Sequence, residues 1–258
     1  MSIGDIWIFE MNLKIDQTVP LERLTIEVIA DPKNQLLVAD HGNRYQFCQP
    51  LVSGKIVLDG ACGTGFGSYI LAQANAQHVD AIDISSEAIN MAQRYYAHPK
   101  IHFEVCDILS LAATSQYDII VSFETIEHIA DTEKYLQGMQ QALKPGGSFF
   151  VSTPNRNVSN PRAARFDKPR NPFHCQEWTT AEFVELLAQY FVVEEVYGQH
   201  PHYYKGTRAR TIESVFMSKR LRKLLHLPEA NYWKRSQVRR IKACHEPVFL
   251  IVQCRKKP

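Results

Sequence analysis

Three ionisable side chains fall within five residues in Glu124-Thr125-Ile126-Glu127-His128. Positions i, i+3 and i+4 share one face of a helix, so a helical turn here would bring both carboxylates and the imidazole to one spot. An imidazole titrates near neutrality and can take the proton of a hydroxyl nucleophile. Glu124 and His128 are therefore candidates for catalysis. His174, in Asn171-Pro172-Phe173-His174-Cys175-Gln176-Glu177-Trp178, is the other candidate base.

A second chemistry is written in Lys55-Ile56-Val57-Leu58-Asp59-Gly60-Ala61-Cys62-Gly63-Thr64-Gly65-Phe66-Gly67-Ser68. Apolar residues run into an acid, glycines follow, and Ser68-Tyr69-Ile70-Leu71-Ala72 begins a helical pattern. The order predicts a buried strand, a tight turn and a helix N-terminus, where a nucleotide-like ligand can lie against main chain. Glycine suits such a turn because a Cβ would meet the ligand or forbid positive φ. The dinucleotide fingerprint G-x-G-x-x-G/A is not met, since Ser68 stands after Gly67 and Asp59 precedes Gly63 by four positions.

The surrounding elements follow from periodicity. Strands are expected at His78 to Ile84, Ile101 to Val105, Tyr117 to Ser122, Ser148 to Thr153, Phe191 to Tyr197 and Val248 to Val252. Helices are expected at 46–52, from Glu87 to Tyr96 behind Ser85, after Asp131 with Leu136, Met139 and Leu143 on one face, and after Thr179. Thr179-x-x-Glu182 is a capping box. A further short helix is expected over 21–30. Strand–helix alternation of this kind predicts a parallel sheet covered on both faces.

Composition sets the frame. The chain has 258 residues, 45% of them hydrophobic and 22% charged, with a net charge of +2, as in an ordinary globular protein. The six cysteines are scattered without a C-x-x-C pair, which speaks against a structural zinc site or a disulfide framework. No apolar run approaches the length of a membrane span, and the N-terminus lacks a basic leader pattern, so the expected location is cytoplasmic. Residues 208–242 hold eleven Lys and Arg against two acids, and Met217, Leu221, Leu224 and Leu225 form a helical stripe there. This stretch is expected to be a basic helical insertion, either an amphipathic lid or a surface for an anionic substrate, membrane headgroups or, less favoured, nucleic acid.

The acid-first turn Asp59-x-x-Cys62-Gly63-Thr64-Gly65 resembles motif I of the Rossmann-like methyltransferases that use S-adenosylmethionine (SAM). The resemblance extends over roughly 41–197 and the last strand. It implies a doubly wound, mostly parallel α/β sheet of seven strands with an antiparallel last strand. The implied domains are an N-terminal cap or substrate segment at 1–50, the SAM-binding domain at 51–197 and 247–258, and the insertion at 198–246. Asp59, Gly60, Ala61, Gly63 and Gly65 form the implied cofactor turn, Ala61 standing where the family usually has glycine. Asp83 is the implied ribose ligand, as a carboxylate can accept from two vicinal hydroxyls. Ile84 would pack on adenine, Asp107 beside Ile108 would take its amino group, and Phe123 would flank the methionyl part. Arg44 with Tyr45 resembles the pair that holds the methionine carboxylate.

The E-x-x-E-H pattern is similar to that of the ubiquinone-pathway O-methyltransferases and the small-RNA 2′-O-methyltransferases. In those families the three residues and a later histidine hold a divalent cation. The implied ligands here are Glu124, Glu127, His128 and His174, a set suited to magnesium or zinc. The implied reaction is O-methylation of a small molecule, a quinol, phenol or sugar diol. RNA 2′-O-methylation, a non-catalytic SAM-binding module and a nicotinamide oxidoreductase are the other readings that the motifs allow.

Overall fold

The computed structural model describes residues 34–203, 236–241 and 245–258. The expected helix at 21–30 and the Met217–Leu225 stripe lie outside them. Helix α1 (Gln35–Cys48) leads through a 3₁₀ turn to β1 (Ile56–Gly60), α2 (Phe66–Gln73), β2 (His78–Asp83), α3 (Ser86–Tyr95) and β3 (Ile101–Val105). Then come β4 (Tyr117–Phe123), α4 (Thr132–Ala142), β5 (Leu143–Pro154), the short α5 (Arg156–Ser159) and α6 (Thr180–Tyr190). The chain ends in β6 (Phe191–Tyr203), β7 (Arg239–Arg240) and β8 (His245–Lys256).

The sheet has eight strands in the order β3-β2-β1-β4-β5-β8-β6-β7, one more than the seven expected. The extra strand is the two-residue β7, which pairs with Tyr197 and Gly198 of β6. Strands β1 to β5 run parallel, and β8 is antiparallel to both neighbours, as expected. The ends of the expected helical insertion are strand instead: β6 continues to Tyr203 and β8 starts at His245.

Two apolar layers clamp the sheet. Val57, Val79 and Val121 pack with Cys48, Leu71 and Ala92 from α1, α2 and α3. Leu58, Ile120 and Phe149 pack with Leu136 and Met139 of α4 and Phe183 of α6 on the other face. Helix ends obey the capping signals. Ser85 accepts from the Ala88 N–H, Asp131 from the Lys134 N–H, and Thr179 and Glu182 close a reciprocal capping box.

Helix α1 starts eleven residues before the expected 46. Its buried side carries Asp40, Asn43 and Arg44 beside Ala39, Tyr45 and Cys48, so no apolar stripe marks it. Internal partners meet Asp40 and Asn43: Asn43 Nδ2 donates to Ser236 Oγ at 2.6 Å, and Gln199 Nε2 donates to the Asp40 carbonyl at 3.0 Å. His200 Nε2 lies 2.6 Å from Asp40 Oδ1. Helix α1 is thereby tied to β6 by hydrogen bonds as well as by packing.

Candidate active site

The carboxyl ends of β1 to β5 open into a cavity of about 600 Å³. It lies where the strand order reverses between β1 and β4, the place where doubly wound sheets bind ligands. Its floor is the turn after β1. Ala61, Gly63 and Gly65 have φ of 65°, 56° and 84°, a region that disfavours any side chain. Ala61 thus holds a backbone conformation that glycine adopts freely, at a cost in strain. At Gly65 an added Cβ would stand 2.7 Å from the Ala92 Cβ, and at Gly67 it would fall inside the Tyr45 ring.

Asp59 is fully buried and does not line the cavity. Its Oδ1 accepts from Tyr45 Oη at 3.0 Å and its Oδ2 from Ser68 Oγ at 2.6 Å. It braces the turn against α1 and α2. Burial pushes its carboxyl up to about 7, although the hydrogen bonds from Ser68 and Tyr45 oppose the rise. A folded value above the ordinary 3.8 means that this group's contribution to stability is full below about pH 4 and is lost as the pH rises through about 7. Asp59→Asn is expected to flatten the fall in unfolding free energy between about pH 4 and pH 7. Denaturant titrations across that range check it, and an unchanged slope would count against the shift.

Asp83 and Ile84 lie at the cavity wall. Asp83 accepts from the Gly63 N–H at 3.0 Å and the Ser85 N–H at 2.9 Å, so the main chain fixes its carboxylate. Ile84 is 65% exposed, an apolar surface open to stacking by a planar ring. Asp107 caps a 3₁₀ turn through the Leu109 N–H at 2.9 Å, between Cys106 and Ile108, which both line the cavity. Phe123 lines it too, with Tyr45 edge-on at 5.1 Å.

Arg44 stands one layer behind the wall. It is fully buried, with its guanidinium 4.6 Å from the Phe249 ring and Nη2 3.6 Å from Glu124 Oε1. None of its three nitrogens has a hydrogen-bond partner among the described residues. Buried donors left unmet are costly, so the site is electrostatically prepared for an anionic group. His41, one turn earlier on α1, lines the cavity. Burial, helped by the Arg44 charge, pushes its pKa down to about 3.

The expected convergence after β4 is only partly met. The turn is a 3₁₀ segment over Ile126–His128, and Glu124 precedes it at φ 52°. Its carboxylate turns away to Ser152 Oγ at 2.7 Å and to Arg44. The residues that meet are Glu127, His128 and His174, which each offer a ligand atom within 4.8 Å of the others'. Glu127 is almost wholly buried, and its Oε2 has no hydrogen-bond donor among the described residues. Burial, reinforced by the Glu124 charge, pushes its carboxyl well above the usual range. A buried carboxylate oxygen without a donor, beside two imidazoles, fits a divalent cation.

Both histidines have assigned tautomers. His128 Nδ1 lies 3.0 Å from the Phe173 carbonyl, which can only accept, so Nδ1 carries the proton. His174 Nδ1 lies 2.7 Å from Glu177 Oε1. The Asn171 Nδ2 lies 2.9 Å from His174 Nε2, and Asn171 Oδ1 takes the Phe173 N–H, which orients the amide. Each imidazole therefore keeps its lone pair on Nε2. Glu177 also accepts from Ser159 Oγ. Burial opposes its charge, but the hydrogen bonds from His174 and Ser159 hold its carboxyl below the usual range.

Leu37, His41, Asn171, Glu177 and Phe249 are site residues that sequence reasoning missed. Glu177 had a signal, since it follows His174 at i+3. Phe249 had none, because its strand is remote in sequence from the turn it covers.

Fold and cavity together define a Rossmann-like methyltransferase of the class that uses SAM. Residues 51–215 match the family described as methyltransferase domain, and the chain belongs to that family. It is 34% identical over 155 residues to a probable S-adenosylmethionine-dependent methyltransferase of Mycolicibacterium smegmatis, covering 60% of this chain and 58% of that one. It is 36% identical over 110 residues to the ubiquinone biosynthesis O-methyltransferase of Azoarcus sp., covering 41% of this chain and 47% of that one. This chain thus spans about half the length of these relatives. An S-adenosylmethionine-dependent methyltransferase from Mesorhizobium loti superposes with a TM-score of 0.59 at 19% identity, over 85% of this chain and 99% of that one. At that identity the likeness speaks for the fold. No described helix is long and apolar enough to cross a membrane.

Proposed function

We propose that the protein transfers a methyl group to a hydroxyl oxygen of a small molecule with two neighbouring oxygens, a quinol, catechol or sugar diol. The observation that carries this reading is that Glu127, His128 and His174 share one cavity with the glycine turn. The likeness to the ubiquinone biosynthesis O-methyltransferase of Azoarcus sp. supports oxygen as the receiving atom.

SAM, when bound, supplies a methyl group on a positively charged sulfur. The chain's own work is to hold that ligand and the acceptor in line and to keep water out. Asp83 takes the ribose hydroxyls and Ile84 supports the adenine. Asp107 and Ile108 stand at the adenine edge, and Phe123 lies along the methionyl chain. Arg44 supplies positive potential for the ligand carboxylate from behind Glu124 and Phe249. His128, with its lone pair on Nε2, takes the acceptor proton as general base. Alternatively, a divalent cation such as magnesium or zinc would be held by Glu127, His174 and that same His128 lone pair, in place of base catalysis by His128, and would lower the acceptor hydroxyl's pKa.

Calorimetric titration with S-adenosylhomocysteine tests the cofactor part, and the absence of binding would sink it. Methylation of catechol and diol acceptors, assayed before and after chelation and on return of magnesium or zinc, tests the rest. A large loss on chelation, reversed by the metal, is the expected result. Rates indifferent to chelation would remove the cation and leave the general base.

A further inference from the structure

Two backbone hydrogen bonds hold the loop of His174 to Glu127, and one buried acid stands behind the pair. The Cys175 N–H donates to the Glu127 carbonyl at 2.7 Å, so the loop that carries His174 is fastened to the turn that carries the carboxylate. Glu177 lies three residues on and is 4% exposed. Both of its carboxylate oxygens are occupied, Oε1 by His174 Nδ1 and Oε2 by Ser159 Oγ. Its carbonyl takes Arg156 Nη1 at 3.2 Å, and Arg156 Nη2 reaches Glu182 Oε1 at 2.7 Å. The Arg156 N–H bonds the Trp178 carbonyl at 2.8 Å. Trp178 is itself packed on Phe183 of α6.

A buried carboxylate is retained at a desolvation cost that good hydrogen bonds must offset. A packing role does not need an acid here. A carboxylate does one thing that an apolar residue of this size cannot, which is to take the Nδ1 proton of a neighbouring imidazole. Free imidazole favours its proton on the other nitrogen, the one that here lies against Asn171 Nδ2. Resting on the reading of the site given above, we propose that Glu177 is its positioning residue. It pins His174 in the Nδ1–H tautomer, so that the Nε2 lone pair, which here accepts from Asn171 Nδ2 at 2.9 Å, is the one a divalent cation or an acceptor hydroxyl takes over by displacing that amide. The chain Glu182–Arg156–Glu177–His174 then links the start of α6 to the reacting end of the cavity. Such carboxylate–histidine pairs behind a metal ligand set its tautomer and its basicity.

The test is made on the full chain with Glu177→Ala, which removes the acceptor, and Glu177→Gln, which keeps one oxygen in place. Long-range nitrogen–proton correlation spectra of the metal-free protein at about pH 8 report the His174 tautomer directly. The Nδ1–H form is expected in the parent protein, a shift toward Nε2–H in Glu177→Ala, and at least partial retention in Glu177→Gln. Zinc titration by calorimetry is expected to weaken about 10- to 100-fold in Glu177→Ala. If Glu177→Ala does not fold, the tautomer in the parent protein and in Glu177→Gln still decides. An Nε2–H tautomer in the parent protein, or a Nδ1–H form unchanged in Glu177→Ala, would overturn the proposal. Absence of zinc binding in the parent protein would count against the metal reading alone, because the tautomer is read without metal.

Discussion

Gly67→Ala is expected to remove measurable cofactor binding and to cost about 1–3 kcal/mol of stability. The reason lies in what occupies the space above that glycine. The added methyl would enter the Tyr45 ring, which is 7% exposed and packed edge-on against Phe123. The ring cannot slide, since its hydroxyl donates to Asp59 and Asp59 also holds Ser68 at the start of the next helix. Moving Tyr45 therefore moves the turn that the cofactor must lie on. Chemical denaturation and S-adenosylhomocysteine titration measure the two effects. Adding Tyr45→Ala to Gly67→Ala should return part of the lost stability, because the two sites share one volume. A single variant as stable and as tight-binding as the parent would show that the helix shifts freely.

The second large effect is expected at His128. His128→Ala should lower turnover by about 10²- to 10⁴-fold while S-adenosylhomocysteine still binds with nearly the parent affinity. The ring is only partly buried, and among the described residues its one hydrogen bond is to the Phe173 carbonyl, so its loss leaves little unsatisfied. What disappears is an Nε2 lone pair beside His174, whose ring centroid is 4.9 Å away. His41 cannot substitute, because burial keeps its pKa far below neutrality. Steady-state kinetics with saturating cofactor check the split. Unchanged turnover would take proton transfer and metal binding at His128 out of the mechanism.

Much of the frame was readable because its rules are local. The glycine turn, the strand–helix alternation and the caps at Ser85, Asp131 and Thr179 each depend on residues a few positions apart. The antiparallel last strand came with the family resemblance. Less legible was whatever depends on long-range pairing. Helix α1 escaped its expected start because its buried face is polar, with Asp40 and Asn43 meeting partners far along the chain. Strand β5 begins at Leu143, ahead of the expected Ser148, because its register with β4 breaks between Tyr117 and Ile119 and so absorbs Gly146-Gly147. Glu124 illustrates the same limit inside the site. Helical spacing placed it with Glu127 and His128, but its own backbone lies at positive φ, and the Arg44 guanidinium holds its carboxylate elsewhere.

Strand β8 follows every other strand in the chain, yet it lies between β5 and β6. A nascent polypeptide extended only as far as β6 can build β3-β2-β1-β4-β5, but β6 has no partner to dock on, and β5 presents a bare edge. Non-local pairings of this sort are slow to form and leave edges open meanwhile. The delay reaches the site as well, since Phe249, the residue over Arg44, belongs to β8. Assembly of the ligand pocket therefore waits on β8, and a chain stopped short of His245 carries a glycine turn with its wall unfinished.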